Sequence, residues 1–194
     1  MAAFVLGNGV SRAAIDVNVL MKIGDVYGCN ALYRTHSPTA LVATDRPIAE
    51  EIQHSGYSKC NRFYTRRPLP GSGAHQVPKA YFGYSSGPIA MALAALDGHR
   101  PIYLLGFDLG AGLDGRFNNV YADTQFYKRL GSQPTFTGNW IKQATKVMRD
   151  FHNQKFIRVY GPTTQEIGEF GRLHNYERMP IKQFQETLNK PKES

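Results

Sequence analysis

Apolar positions fall into short blocks with two rhythms. Phe4-Val5-Leu6, Asp25 to Asn30, Leu41 to Asp45 and Phe156 to Tyr160 are runs of strand length, each bounded by turn-forming or polar residues. Pro101-Ile102-Tyr103-Leu104-Leu105-Gly106-Phe107-Asp108 stays apolar to its terminal acid, the pattern of a central parallel strand buried on both faces. Between these runs the period changes to that of a helix. Arg12 to Met21 follows the N-cap candidate Ser11, carries Asp16 on its surface and stops at Gly24. Pro47 to His54 and Trp140 to His152 are further helices. Ile89 to Leu96 is alanine-rich, with Pro88 in its first turn and Gly98 at its end; apolar nearly all round, it belongs against a sheet.

Strands alternating with helices predict an α/β fold: a Rossmann-like, mostly parallel sheet with helices on both faces and right-handed crossovers. Such sheets bind ligands beyond the carboxyl ends of their strands. Three predicted strand ends finish on Asn8, Asn30 and Asp45. The expected organisation is a nucleotide-binding domain over residues 1–162 and a polar C-terminal extension over 163–194. Residues 60–84, rich in Arg, Pro, Gly and Tyr with little periodicity, read as a lid-like loop.

Composition narrows the partners. A chain of 194 residues can bury one sizeable core. No apolar run approaches the ~20 residues that span a bilayer, and the first residues read as a strand rather than an export signal. Cys29 and Cys60 lack metal-ligand spacing, which predicts reduced thiols in the core or lining a site, and a cytoplasmic location. The formal charge of +8 favours an anionic partner. Arg62, Phe63, Tyr64, Arg66 and Arg67 have the composition of a surface that stacks bases and pairs phosphates, but such a stretch is more often a solvated loop face. Nucleic acid is therefore a second class of partner, and a homo-oligomer is compatible with the same composition. The compact size would suit a phage-encoded or accessory protein.

The chemistry-bearing residues cluster at the predicted strand ends. Gly7, Asn8 and Gly9 form a turn in which glycines admit a ligand close to the backbone, and a following helix start offers amides to phosphate. Asn30 carries an amide able to read a base or ribose, and Asp45 can accept from ribose hydroxyls. Either side chain could instead cap a helix. Ser85, Ser86 and Gly87 open a second helix with two hydroxyls, again suited to phosphate or ribose. Asp108, at the end of the central strand, reads as a ligand contact or as an acid bonding the next loop. No pair of histidines has metal-ligand spacing.

Taken in order, Gly7-Asn8-Gly9-Val10-Ser11 with Ile15-Asp16, Val26 to Asn30, Ser85-Ser86-Gly87 and Ile102 to Asp108 resemble the blocks of the glycosyltransferase family 42 sialyltransferases of bacterial surface glycans. The resemblance covers residues 4–162. Gly7 to Ser11 and Leu105 to Asp108 also resemble the MptE-like 6-hydroxymethylpterin diphosphokinases. The sialyltransferase resemblance implies inverting transfer from a CMP-sugar without a metal or other cofactor, with Asn8, Asn30, Ser85 and Ser86 around the nucleotide and Asp45 where the family has asparagine.

The departures concern catalysis. Of the family's two phosphate-holding tyrosines, Tyr121 matches the second, but Gly110 stands at the first. The family's general-base histidine follows a glycine just before a helix; here Gly138 is followed by Asn139, whose amide takes no proton near neutrality. His174 is the available substitute. The expected activity is thus transfer from a nucleotide-activated sugar. The alternatives are a non-catalytic binder of a nucleotide or nucleotide-derived signal, phosphoryl transfer or hydrolysis, and a basic structural or nucleic-acid-binding module.

Overall fold

The computed structural model describes residues 1–189. In chain order its elements are β1 (Ala3–Leu6), α1 (Val17–Ile23), β2 (Asp25–Cys29), β3 (Ala40–Val42), α2 (Arg46–His54), α3 (Tyr57–Cys60), β4 (Phe63–Thr65), β5 (His75–Gln76), α4 (Ser86–Leu96), β6 (Ile102–Leu105), α5 (Gly138–Asp150), β7 (Phe156–Tyr160), α6 (Gly168–Gly171), β8 (Tyr176–Pro180) and α7 (Ile181–Asn189). The strands form one eight-stranded sheet in the order β5-β4-β3-β2-β1-β6-β7-β8. Every pairing is parallel.

Alternation along β1 assigns the two faces. Ala3 and Val5 join a core with α4 and α5, through Ile89 to Ala95, Ala144, Val147 and Met148. Phe4 and Leu6 join the opposite core with Leu20, Ile48, Ile52 and Phe184 of α1, α2 and α7. Helix α4 is buried from Pro88 to Ala95, as its all-round apolar surface requires. From β1 the chain winds outward through β2 to β5, then returns to β6 on the other side of β1. The winding direction therefore reverses between β1 and β6, and a crevice opens at such a point beyond the carboxyl ends.

Three segments differ from the sequence reading. The helix expected over Arg12 to Met21 is divided: Val10–Ala14 is a 3₁₀ turn, and α1 starts only at Val17, capped by Asp16, whose side chain accepts from the Asn18 amide at 2.8 Å. Ser11 caps nothing, because its amide and hydroxyl both go to Asp108. Residues 60–84, expected as a lid, supply β4 and β5 and form one edge of the sheet. The segment from 163 to 194, expected as a polar extension, carries β8 and α7 and buries Phe170 and Phe184 in the two cores. Its last five residues lie outside the described range. No described helix is long and apolar enough to cross a membrane.

Candidate functional site

A cavity of about 410 Å³ lies at the carboxyl edge, over the point where the winding reverses. All nine residues expected around a nucleotide, Gly7, Asn8, Gly9, Asn30, Asp45, Ser85, Ser86, Gly87 and Asp108, line it. They divide into a satisfied floor and an unsatisfied rim.

The floor joins the ends of β1 and β6. Asp108 is 2% exposed, and its carboxylate takes bonds from the Ser11 amide at 3.1 Å, Asn118 Nδ2 at 3.1 Å, Thr163 Oγ1 at 2.7 Å and Thr164 Oγ1 at 3.2 Å, besides the Ser11 hydroxyl. These five donors exceed the roughly four lone-pair sites of a carboxylate. Asp108 is thus a brace, and its expected role as a nucleotide contact is corrected on that ground. The glycines serve the same closeness. A Cβ on Gly9 would stand 2.4 Å from Asp108 Cγ, and one on Gly7 would stand 2.5 Å from the Gly106 carbonyl oxygen. The space they leave is filled by the protein itself. The amide of Val10 is also taken, by Asn118 Oδ1 at 2.8 Å.

Two guanidinium groups underlie this floor. Arg158, at 0% exposure, donates to the carbonyls of Phe107 at 2.8 Å, Asp108 at 3.0 Å and Gln165 at 2.8 Å. Burial lowers its pKa. Arg12, also buried, donates to the Gly7 carbonyl at 2.6 Å and to Tyr121 Oη at 3.0 Å. Neither makes an ion pair among the described residues. Two buried cations near one buried carboxylate leave a positive floor, which favours an anion in the cavity above.

The rim is different. Asn8 Oδ1 is buried with no hydrogen-bond partner among the described residues. Asn30 adopts a left-handed backbone at φ 53°, a conformation asparagine tolerates better than most residues. Its Oδ1 accepts from Ser86 Oγ at 3.2 Å, which leaves the amide nitrogen free for another partner. Ser86 Oγ in turn accepts from the Thr44 amide at 3.1 Å. Neither Ser85 nor any other side chain caps α4. The amides of Ser86 and Gly87 open that helix without a carbonyl partner among the described residues, and Pro88 has no N–H to satisfy. Asp45 precedes α2 with no capping bond.

The two residues expected in catalysis do not line the cavity. Tyr121 is held on Arg12, beside the ring of Tyr127 at 5.4 Å; burial raises its pKa and Arg12 opposes the rise. Tyr127 is the tyrosine on the lining, its oxygen accepting from the Ala31 amide at 3.3 Å. His174 sits at the opposite edge, before β8, with Nε2 3.2 Å from the His152 carbonyl oxygen. A five-residue strand separates it from the cavity by about 16 Å, so a role as general base is corrected. No histidine lines the cavity among the described residues.

Other cysteine and arginine readings also change. Cys60 is exposed, whereas Cys29 is buried beside the cavity and burial pushes its thiol up to about 12. Arg62 forks onto Asp97 at 2.5 and 3.1 Å, Arg66 holds the carbonyls of Phe82, Gly83 and Tyr84, and Phe63 is buried. The basic and aromatic stretch is therefore largely engaged with the protein. No group of three His, Cys, Asp or Glu side chains among the described residues could hold a metal.

Neither a protein-family model nor a curated protein sequence matches the chain. Solved structures do. The sialyltransferase CstII from Campylobacter jejuni with cytidine-5′-monophosphate aligns over 81% of this chain and 79% of that one, at TM-score 0.51 and 16% identity. The same enzyme with a trisaccharide acceptor and CMP aligns at TM-score 0.53 and 18% identity over 81% and 80%. The chain has the fold of the family 42 sialyltransferases. The MAf glycosyltransferase from Magnetospirillum magneticum AMB-1 shares it too, over 92% of this chain and 33% of that one, at TM-score 0.51 and 16% identity.

A residue larger than glycine at position 110 would have to displace the exposed side chain of Gln165. A Cβ there would stand 2.0 Å from Gln165 Cγ. Sequence reasoning missed Arg12, Arg158, Asn118, Tyr127, Lys128 and Trp140, of which the last four line the cavity. Arg158 had a signal, a lone charge in the apolar run Phe156 to Tyr160. Lys128, whose Nζ is 3.4 Å from Thr135 Oγ1, had none.

Proposed function

We propose that the chain binds a nucleotide-activated sugar in the carboxyl-edge cavity and acts as a glycosyltransferase-like protein, with a CMP-type nucleotide the first candidate. The observation that carries this reading is the convergence, on one cavity, of polar groups that the protein leaves unsatisfied: Asn8 Oδ1, the free amide of Asn30 and the opening amides of α4. Orphaned buried acceptors are costly, and a ligand donor relieves them. The helix dipole and the buried guanidiniums favour its phosphate. The shared fold supports the same reading, since the neighbours' structures contain CMP and an acceptor trisaccharide.

Asn30 and the α4 amides would hold the nucleotide, and Trp140 on the lining offers a ring face for a base or sugar. Binding without a divalent metal is part of the proposal. The test is thermal denaturation with nucleoside mono- and diphosphates and nucleotide-sugars, with and without EDTA. A ligand at one hundred times its Kd stabilises the fold by about 2.7 kcal/mol. The reading predicts such a stabilisation with at least one nucleotide, unchanged by EDTA; no response to any of them contradicts it.

A specific observation favours a second reading, a nucleotide binder without transfer activity: Tyr121 and His174 both lie off the cavity lining. Release of free nucleotide from a bound nucleotide-sugar separates the two. Transfer or hydrolysis liberates it in proportion to protein, whereas a binder returns the ligand intact.

A further inference from the structure

Arg66 is a cation that the protein fixes but does not neutralise. It follows β4 and lines the cavity. Its Nε donates to the Phe82 carbonyl at 3.1 Å, and its Nη2 donates to the carbonyls of Gly83 at 3.3 Å and Tyr84 at 2.9 Å. These dipoles hold the group in place without cancelling its charge. Arg66 forms no ion pair among the described residues, and its Nη1 donates to none of them. A planar fork already held along one side needs little further ordering to take an anion on the other.

The place of this guanidinium decides which ligand group it meets. Tyr84, whose carbonyl it holds, immediately precedes Ser85, the residue before the first turn of α4. Gln143 Oε1 accepts from the Ser85 amide at 2.8 Å and fixes the entry to that helix. The Ser85 hydroxyl caps nothing, and the amides of Ser86 and Gly87 have no partner among the described residues. Arg66, the Ser85 hydroxyl and these two amides thus bring a full charge and several donors to one side of the cavity. Asp45 on the same lining is exposed and forms no ion pair with Arg66, so solvent screens it. A group with several anionic oxygens can use all of these donors, whereas a lone hydroxyl or a base edge leaves most of them unpaired.

Resting on the nucleotide-sugar reading, we propose that Arg66 is the cation that binds the ligand's phosphate against the start of α4. The chain's own guanidinium then supplies the charge that a divalent ion supplies at other phosphate sites. Residues 60–84 accordingly have a part in the site: β4, which they build into the sheet, sets the guanidinium beside the helix start.

The experiment uses the full chain and calorimetric titration of each nucleotide against its own nucleoside: CMP against cytidine, and the same pairs for uridine, adenosine and guanosine. For whichever base binds, the wild type is expected to hold the nucleotide more tightly than the nucleoside by about tenfold or more, the scale of one hydrogen bond to a charged group. In Arg66→Gln that advantage is expected to fall by about tenfold, while the nucleoside's own affinity changes less than about threefold. The nucleoside is the control for bracing, because a variant that only disturbs Phe82 to Tyr84 weakens both ligands alike. Arg66→Lys keeps a point charge without the fork and is expected to lose about threefold of the advantage; it carries the test if Arg66→Gln does not fold. A wild type with no phosphate advantage, an advantage that survives in the variants, or an equal loss of both ligands overturns the assignment of Arg66 and leaves binding in the cavity standing. If no nucleotide or nucleoside binds, both the assignment and the reading beneath it fall.

Discussion

The floor and the rim of the cavity are built from the same residue types, yet they do opposite things. On the floor, the side chains of Asp108 and Asn118 are bonded within the protein, and neighbouring atoms fill the space where a Cβ of Gly7 or Gly9 would stand. On the rim, Asn8, Asp45 and the start of α4 keep groups without partners among the described residues. A glycine turn, an aspartate or an asparagine at a strand end therefore does not by itself identify a ligand contact. What distinguishes a contact from a brace is whether the folded protein has already satisfied it. The floor holds the strand ends at fixed separation, and the rim is left to recognise.

Substitutions on the two sides should consequently affect different measurements. The largest stability effect is expected for Asp108→Ala, which strands four side-chain donors and removes the carboxylate near Arg158. A loss of about 3–5 kcal/mol, the cost of breaking a buried charged network, is expected in urea denaturation. A loss below 1 kcal/mol would deny Asp108 its bracing role. Next comes Gly9→Ala, whose Cβ would collide with Asp108; about 1–3 kcal/mol is expected from overpacking. A neutral result would show that the two strand ends can separate freely.

Cys29 lies where floor and rim meet and gives a pH test. Its thiol is buried and its folded pKa is raised to about 12 from 9.0, so the folded state keeps a proton that the unfolded chain releases. Its contribution is complete below pH 9 and is lost as pH rises toward 12. Between pH 9 and 10 the loss approaches about 1 kcal/mol for such a group. Cys29→Ala should reduce the alkaline slope of the urea midpoint; an unaltered slope would assign the dependence to other groups, such as the buried tyrosines. The smallest stability effect is expected for Asn8→Ala on the rim. It deletes an acceptor that has no partner, so unliganded stability should change by less than ~0.5 kcal/mol. A large loss would mean that Asn8 braces the fold after all.

Much of the fold was legible because the apolar runs at Phe4-Val5-Leu6 and Ile102 to Leu105 have a length and flanks that only a buried parallel strand fits. The switch from period 2 to helical periodicity marked α2, α4 and α5. Ser11 misled because a serine after a turn looks like an N-cap, while only a long-range partner, Asp108, shows otherwise. Residues 60–84 hid β4 and the edge strand β5, since strands of three and two residues carry little alternation to detect. The membership of the site was visible in the strand ends, but its division was not. Whether Asp108 is satisfied depends on Ser11, Asn118, Thr163 and Thr164, residues ten or more positions away from it in sequence, and no local pattern encodes that pairing.

The central claim is that unsatisfied rim groups bind a nucleotide, and Asn8 tests it most directly because its removal should cost the fold almost nothing. Titration of CMP, or of whichever nucleotide stabilises the wild type, into wild type and Asn8→Ala is the measurement. A fall in affinity of about tenfold or more, at unchanged unliganded melting temperature, is predicted for the loss of one buried hydrogen bond. Equal affinity in the two proteins, or no binding by the wild type, would contradict the account.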